Sequence, residues 1–577
     1  MEVESRALRD EDEEMKRDDV TMQLISSSLA YASEEMGLAL RNAAYSPNIK
    51  ERMDHSAAIF DSEGRLLAQA EHIPVHLGSL PWGLRNLIEL CKRRGPTFEE
   101  GSMIMSNDPY ICGTHLNDVT VVCPVYSSGS LVAFAANKAH HADVGGKVPG
   151  SISMGSSTLF EEGTVVEPTR LTTRREFVPK TLEEFSSASR TPGERRGDLR
   201  AQVAANLTGE RRVHGLIAKY GLGAFRAAGK FSFAHSETMM RRRLSAIRRG
   251  LFTAEEVLEG ADGTDLRLRV AVRVLDGEVE VDYAGTAVQV DYPLNSVFGV
   301  TISGVYYVLR TLTGDDIPAN HGAFAPIRVS APPGTILNPT SPHPVGGGNV
   351  ETSQRNADLI YRALSKAAPR LVPAAAGGSM NNVMVGGQFS GSQWAFYETM
   401  GVGLGGSSER DGIDGIQCNM TNTMNTPIEE IERSLPLMIT KYEFRPDSSG
   451  AGRFRGGSGL VRRYRILSPG TTFTILAERE RHAPWGLLGG GTGGRTEVIL
   501  NRGEGDSRIP SKSTLVLDWG DEVEIRTAGG GGYGNPLKRP RSSVREDVVD
   551  GLLTPVKARM DYGLPRRPRR MSSVAFK

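Results

Sequence analysis

Three of the chain's 11 histidines, His115, His140 and His141, fall with Asp118 and Asp143 inside one stretch, SNDPYICGTHLNDVTVVCPVYSSGSLVAFAANKAHHADVGG, from Ser106 to Gly146. Imidazole and carboxylate together ligate divalent zinc, manganese or iron. Such an ion lowers the pKa of a bound water from about 15.7 toward 7, or polarises a carbonyl, so the chemistry on offer is hydrolysis or carbonyl activation. Two strand-like runs, Val119 to Tyr126 and Leu131 to Asn137, flank the connection Ser127-Ser128-Gly129-Ser130, which is a hairpin signal. Pairing outward from that turn brings Asn117 and Asp118 opposite Ala139 and His140, and cross-strand neighbours lie about 5 Å apart. His115 and Asp118 before the first strand, and His140, His141 and Asp143 after the second, therefore converge at one end. Two readings of that convergence stand at this point: a set of ligands around one ion, or strand-terminating polar residues bonded to backbone.

Other polar groups are weaker candidates. Asp54 and His55, in SPNIKERMDHSAAIF, and His72 and His76, in AEHIPVHLGS, sit beside a neighbouring hairpin and can supplement the same site. Gly346, Gly347, Gly348 and Asn349 lead into a helical pattern, an arrangement whose free amides suit an anion, with Gly347, Gly348 and Asn349 as the candidate residues. No GxxxxGK[ST] sequence occurs, no GxGxxG sits in a strand-to-helix unit, and GxSxG is absent, which argues against an autonomous nucleotide site and a serine hydrolase. Cys112 and Cys418 have no neighbouring histidine motif and read as ordinary thiols.

The elements that position these groups follow from periodicity. The chain has 577 residues, 39% apolar, enough for a sizeable core in several domains or fewer large ones. Its 68 basic and 68 acidic side chains cancel, so no long-range field recruits nucleic acid or an anionic membrane. Four cysteines without a CxxC pair, no long apolar run and a charged start point to a cytoplasmic chain that neither crosses a membrane nor carries a disulfide scaffold. Residues 1–18 read as a flexible charged leader. Asp19 and Thr21 then cap a helix with Ile25, Leu29, Ala32, Met36, Leu40 and Ala43 at three- and four-residue steps, ending before Pro47. AAIFDSEGRLLAQA reads as a hairpin, the stretch 181–249 as helical, and LRLRVAVRVLDGEVEVDYAG as a hairpin around Asp276-Gly277. Ala357, Ile360, Tyr361 and Leu364 share a helical face, and the region to about residue 536 is glycine-punctuated and strand-rich. The expected fold class is mixed α/β (α+β), with 19–536 as the main region, divided near 180 and 250, and 537–577 as a basic, disordered tail.

Several blocks in one order resemble the hydantoinase B / 5-oxoprolinase family: AYSPNIKERMDHS, LAQAEHIPVHLGS, NDPYICGTHLNDVTVVCPV, AHHADVGG, GDLRAQVAANLTGERR, GGNVETSQR, MTNTMNTPIE, AGRFRGGSGL and GGGGYGNP. The resemblance implies a large hydantoinase B-type fold and a divalent metal (Zn, Mn or Fe) on His115, Asp118 and His140. Asp54 enters as a fourth or bridging ligand, and His141 and Asp143 as residues behind the ligands. It further implies a hydantoinase A-type ATP-binding partner in a hetero-oligomer, with ATP on that partner and a small cyclic amide (hydantoin, oxoproline or lactam) as substrate. A ketone carboxylase subunit and a non-catalytic assembly protein are the alternatives. The chain departs from the family pattern at Gln417, Cys418 and Asn419, where many members carry a histidine, which places substrate choice in question there.

Overall fold

The computed structural model describes residues 2–565 apart from residues 71 and 504, with side chains from Asp18 onward. Helix α1 (Glu2–Ala43) takes in the leader that the sequence suggested would be flexible, so Asp19 and Thr21 lie within the helix rather than capping it. Its stripe of Ile25, Leu29, Ala32, Met36 and Leu40 is buried, as the spacing predicts, whereas Ala43 is exposed and Ala44 takes its place.

A seven-stranded sheet follows, built from β1 (His55–Asp61), β2 (Leu66–Ala70), β3 (Met103–Ser106), β4 (Asp118–Ser127), β5 (Ser130–His140), β6 (Thr169–Thr173) and β7 (Glu176–Phe177). Its order is β2-β1-β5-β4-β3-β6-β7, with every described pairing antiparallel. The hairpin β4–β5 turns at Ser128 and Gly129, both left-handed. A register shift between Val125 and Tyr126 sets Asp118 directly across from His140 and Val119 across from Ala139. That one-residue shift decides the face each side chain occupies, because faces alternate along a strand. On the other side, His55 pairs with Ala139, so the end of β1 reaches the same corner.

Helix α2 (His76–Arg94) leaves the sheet at this corner. Helices α3 (Pro179–Ser187), α4 (Pro192–Tyr220) and α5 (Leu222–Ser245) form the expected helical segment. Helix α4 lies on β4 and β5 through polar side chains: Gln202 Nε2 donates to Val119 O at 2.8 Å and Asn206 Nδ2 to Val121 O at 2.9 Å. A four-stranded sheet holds β8 (Gly250–Glu259), β9 (Asp265–Val274), β10 (Val279–Asp282) and β11 (Ile327–Ser330), and its β9–β10 hairpin is the one the alternating sequence predicts. Two further sheets run from β12 (Asn382–Phe389) to β20 (Glu522–Arg526), in which β13 (Ser392–Glu398) pairs with β12. The glycine loops between them press backbone on backbone. A Cβ on Gly457 would stand 1.9 Å from Ile413 O, and one on Gly530 1.9 Å from Leu404 O, so neither site admits a side chain.

Helix α6 (Phe298–Thr313) packs against α2, and helix α7 (Ser353–Leu364) is buried on nearly all sides behind a π-helical turn, Gly348–Thr352. Being buried all round, α7 carries its charges in pairs: Asp358 accepts from Arg355 Nη2 at 2.9 Å, from Arg479 Nη2 at 2.7 Å and from Asn419 Nδ2 at 3.1 Å. Nearby, Glu478 meets Lys512 Nζ at 2.8 Å. Glu351 Oε1 accepts from Met380 N and Asn382 Nδ2, while its Oε2 has no partner. Burial, with the charge of Glu478 beside it, pushes the Glu351 carboxyl up to about 8. The folded chain thus keeps a proton there that the unfolded chain has already lost above about pH 4.5, so stability falls as pH rises through 8. Between pH 6.5 and 8.5 the loss should be about 2 kcal/mol, and Glu351→Gln should remove it. Urea unfolding of the two proteins at both pH values checks this, and equal slopes for both would contradict it.

The stretch after residue 536, expected to be a disordered tail, holds helices α8 (Arg541–Val549) and α9 (Pro555–Tyr562). Val544, Leu553, Ala558 and Tyr562 form a small core with Ala451, and Arg539 is bonded to both Asp411 and Asp547. The later basic cluster, Arg566, Arg567, Arg569 and Arg570, lies outside the described residues. Among the described residues, no helix is long and apolar enough to cross a membrane.

Candidate metal centre

The corner made by β1, β4, β5 and the start of α2 gathers the chemistry. Asp118 and His140 face each other as first and last residues of β4 and β5, and His115 comes from the turn three residues before Asp118. His115 Nε2 stands 3.2 Å from Asp118 Oδ1, His140 Nδ1 stands 3.3 Å from the same oxygen, and the two nitrogens are 3.1 Å apart. Donors about 2.0 to 2.2 Å from a common ion stand about 2.8 to 3.6 Å from one another in tetrahedral or octahedral sets, so this triangle fits a divalent metal. All three residues are buried. His115 Nδ1 lies 3.3 Å from Gly346 O, an arrangement that puts its proton on Nδ1 and leaves the Nε2 lone pair facing the triangle. Asp54, just before β1, brings Oδ2 to 3.9 Å from His140 Nδ1, the place of a fourth donor.

Electrostatics agree with a cation-seeking site. Burial opposes a charge on Asp118, yet the imidazoles of His115, His140 and His76 hold its carboxyl well below the usual range. Burial also works against protonated His115, but Asp118 outweighs it and the imidazole titrates above its ordinary value; at His140 burial prevails and the imidazole titrates below its ordinary value. A neutral imidazole beside an ionised carboxylate is the form in which both groups bind metals.

Around the triangle, His76 Nε2 lies 3.3 Å from Asp118 Oδ2 and His76 Nδ1 lies 3.0 Å from Ser56 Oγ. The ring therefore links Ser56 to the free oxygen of Asp118 and fixes the carboxylate's orientation, as outer groups commonly do for ligands. His76→Ala should weaken metal affinity by about 10- to 100-fold, with activity restored by excess metal. A metal titration reads this, and unchanged affinity would remove His76 from the account. Tyr397 in β13 stacks on the His140 ring with centroids 4.6 Å apart, and Arg52 places its guanidinium 5.0 Å from the centroid of Tyr397. A cavity of about 20 Å³, room for roughly one water, separates Asp54, Asp118 and His140 from Asn349, Thr399 and Met420.

The other sequence candidates lie elsewhere. His141 comes directly after the end of β5 and points away from the triangle, its Nε2 3.0 Å from Gln202 Oε1 and its ring edge-on to Phe185. Asp143 accepts from Gly145 N, Gly150 N and the Arg190 side chain, so it shapes a loop rather than backing the ligands. His55 and His72 pack on each other away from the triangle. The anion cradle predicted at Gly347, Gly348 and Asn349 is taken internally: Glu162 accepts from Val345 N and Gly346 N, while Gly348 N and Asn349 N bond Val345 O. A Cβ on Gly348 would meet Asn295 O at 1.8 Å, so this glycine serves close packing. Asn349 instead presents its side chain to the cavity beside Asp118 and His140, with Oδ1 unpartnered. At the departing segment, Gln417 Nε2 donates to Thr399 Oγ1, which lines that cavity, and Cys418 is buried against Gln354.

A mixed α/β chain of several sheets with a buried two-histidine, one-aspartate donor set defines the class. The chain belongs to the hydantoinase B/oxoprolinase family, whose model matches residues 18–536. An uncharacterized protein of Methanocaldococcus jannaschii is 44% identical over 94% of this chain and 96% of its own length. 5-oxoprolinase 1 of Arabidopsis thaliana is 34% identical over 90% of this chain, which spans 42% of that longer protein. In three dimensions the chain is similar to the ATP-dependent caprolactamase from Pseudomonas jessenii, with a TM-score of 0.89 and 28% identity over 95% of this chain and 96% of that one.

Proposed function

We propose that this chain is the metal-dependent B-type subunit of an ATP-dependent cyclic-amide hydrolase, opening a hydantoin, oxoproline or lactam ring together with a separate A-type ATP-binding subunit. The observation that carries the reading is the buried triangle of His115 Nε2, Asp118 Oδ1 and His140 Nδ1, with Asp118 and His140 lining a water-sized cavity. A divalent ion held there would act as a Lewis acid toward the amide carbonyl or make water nucleophilic at neutral pH. The chain's own residues supply the rest. Asp118 neutralises part of the ion's charge and is kept in one orientation by His76, His115 is fixed by Gly346 O, and the stacked Tyr397 limits rotation of His140.

An unstrained amide is a poor electrophile, and ATP chemistry on the carbonyl oxygen would supply both activation and a leaving group. The sequence offers no phosphate-binding loop for that step. Its span of 42% of an oxoprolinase fits a division of labour in which a partner chain holds ATP. The caprolactamase likeness favours a cyclic amide over other carbonyl substrates.

The test is reconstitution with an A-type partner, ATP and a panel of lactams, hydantoins and oxoproline, with and without bicarbonate. Metal-dependent, bicarbonate-independent ring opening is the expected result. Turnover that requires bicarbonate would replace this reading with the carboxylase, and a folded chain that binds no metal would replace it with the assembly protein.

A further inference from the structure

Three threonine hydroxyls beside the candidate metal centre form a chain in which every proton can be counted. Arg52 is fully buried, and its Nη2 donates to Thr399 Oγ1 at 2.8 Å and to Thr423 Oγ1 at 3.2 Å. Gln417 Nε2 donates to Thr399 Oγ1 at 3.0 Å, and the backbone N–H of Thr423 donates to Thr421 Oγ1 at 3.4 Å. The hydroxyls also meet one another, Thr399 with Thr423 at 3.0 Å and Thr423 with Thr421 at 3.3 Å. Thr399 and Thr421 line the water-sized cavity shared with Asp54, Asp118 and His140, and Thr423 does not. A hydroxyl accepts two hydrogen bonds and donates one, while guanidinium and amide N–H groups only donate. Thr399 is filled by Arg52 and Gln417, so toward Thr423 it can only donate. Thr423, unable to donate back, gives its proton to Thr421. Thr421 is then filled by the Thr423 hydroxyl and N–H, and among the described residues nothing remains to take its proton; the space it borders is the cavity.

Resting on the cyclic-amide reading above, we infer that Thr421 is the hydrogen-bond donor that seats the attacking water in this cavity, with Thr423, Thr399, Arg52 and Gln417 as positioning residues that fix the direction of its proton. The cavity, at about 20 Å³, admits one water or an ion of that size and nothing larger, so that is what the Thr421 proton meets. A water that accepts from Thr421 keeps its own protons for other partners, and the carboxylates of Asp54 and Asp118 line the same space to accept them. Donor and acceptors together hold it in one orientation, which is what a positioned nucleophile requires. Gln417 sets the direction of the whole chain. Its Oε1 is unpartnered, and turning the amide over would leave an N–H group unpaired instead, the rarer state for a buried polar group. The segment where this chain departs from the family pattern is thus the one that orients the relay.

The relay is tested first without turnover, on the zinc-loaded, full-length chain, by fluorine NMR titration with fluoride, an acceptor-only ion of about a water's size. Thr421→Val, which keeps the side chain's shape and removes its proton, should weaken fluoride binding about 10-fold or more while holding its zinc, and Thr421→Ser should restore most of the affinity. Gln417→Glu puts an acceptor where the donor was, so Thr399 turns its proton to it, the chain reverses and Thr421 presents a lone pair to the cavity. Fluoride binding should fall by a similar factor, and Gln417→His, whose ring N–H still donates, should retain most of it. In the Thr421→Val background Gln417→Glu should cost little more, because the hydroxyl it acts through is gone. Equal cost in both backgrounds would mean bare charge repulsion and would overturn the positioning role, and unchanged fluoride affinity in Thr421→Val would overturn the relay itself. In the reconstituted enzyme, Thr421→Val should lower kcat about 10-fold or more and leave KM for lactams unchanged, the mark of an interaction that acts on the chemical step. Ring opening by wild type with no loss of kcat in Thr421→Val overturns the seating of the water alone. The full fluoride pattern in a chain that opens no ring overturns the hydrolase reading alone.

Discussion

Asp118→Ala should strip the protein of its metal and reduce ring opening in the reconstituted enzyme by a factor on the order of 10³ or more, because water without a metal ion is not a nucleophile at neutral pH. The expectation is larger than for any other single residue near the site, since Asp118 is where three imidazoles meet. Oδ1 faces His115 and His140, and Oδ2 faces His76. Removing it deletes the one charge that would neutralise an ion within the triangle and leaves three buried rings facing each other. Secondary structure should survive, because the backbone pairing of Asp118 with His140 and the bond from Asp118 N to His115 O do not involve the side chain. Asp118→Asn, which keeps the shape but not the charge, should retain weak metal binding. Elemental analysis and coupled rates on the same preparations check both variants, and full occupancy with full activity in Asp118→Ala would contradict the assignment.

The second large effect concerns stability rather than chemistry. Asp358→Ala should lower the unfolding free energy by about 3 to 5 kcal/mol, the usual cost of stripping a buried ion pair of one partner. Arg355 and Arg479, both essentially buried, converge on Asp358 Oδ2 at 2.9 and 2.7 Å, and Asn419 holds Oδ1. With the carboxylate gone, two guanidinium groups face each other in the interior. Arg479→Met in the Asp358→Ala background should recover part of the loss, because it removes one of the two unpaired charges. Denaturant unfolding measures both, and a change below about 1 kcal/mol in Asp358→Ala would show that the helix does not depend on this pairing.

Local signals explain which parts of the fold and site were readable in the chain. The hairpin of β4 and β5 is readable because a four-residue turn separates two β-branched runs, and it brings Asp118 close to His140, with the register shift setting them directly opposite. The register shift after Val125 was not visible, since nothing in a bulge's composition distinguishes it from a regular strand. Proximity in sequence groups His141 and Asp143 with the triangle, but the chain leaves β5 at His140 and sets His141 against Gln202, and a tight loop claims Asp143. The glycines 346–348 look like an anion loop, and a carboxyl does occupy the neighbouring amides; it is that of Glu162, nearly two hundred residues away in the chain. Tyr397 and Arg52 belong to the site only through tertiary packing and left no local pattern. The final helices were missed because four scattered apolar residues among many charges resemble a solvated tail until Arg539 and Asp547 anchor them to the glycine loops.

The most direct test of the account is anomalous X-ray diffraction at metal absorption edges, on crystals of the chain as purified and after incubation with divalent metal salts. The account predicts a single peak bonded to His115, Asp118 and His140, with Asp54 at its side, and no peak in crystals of His140→Ala. A well-ordered protein with these three side chains in place and no peak between them after incubation with zinc, manganese and iron salts would contradict it.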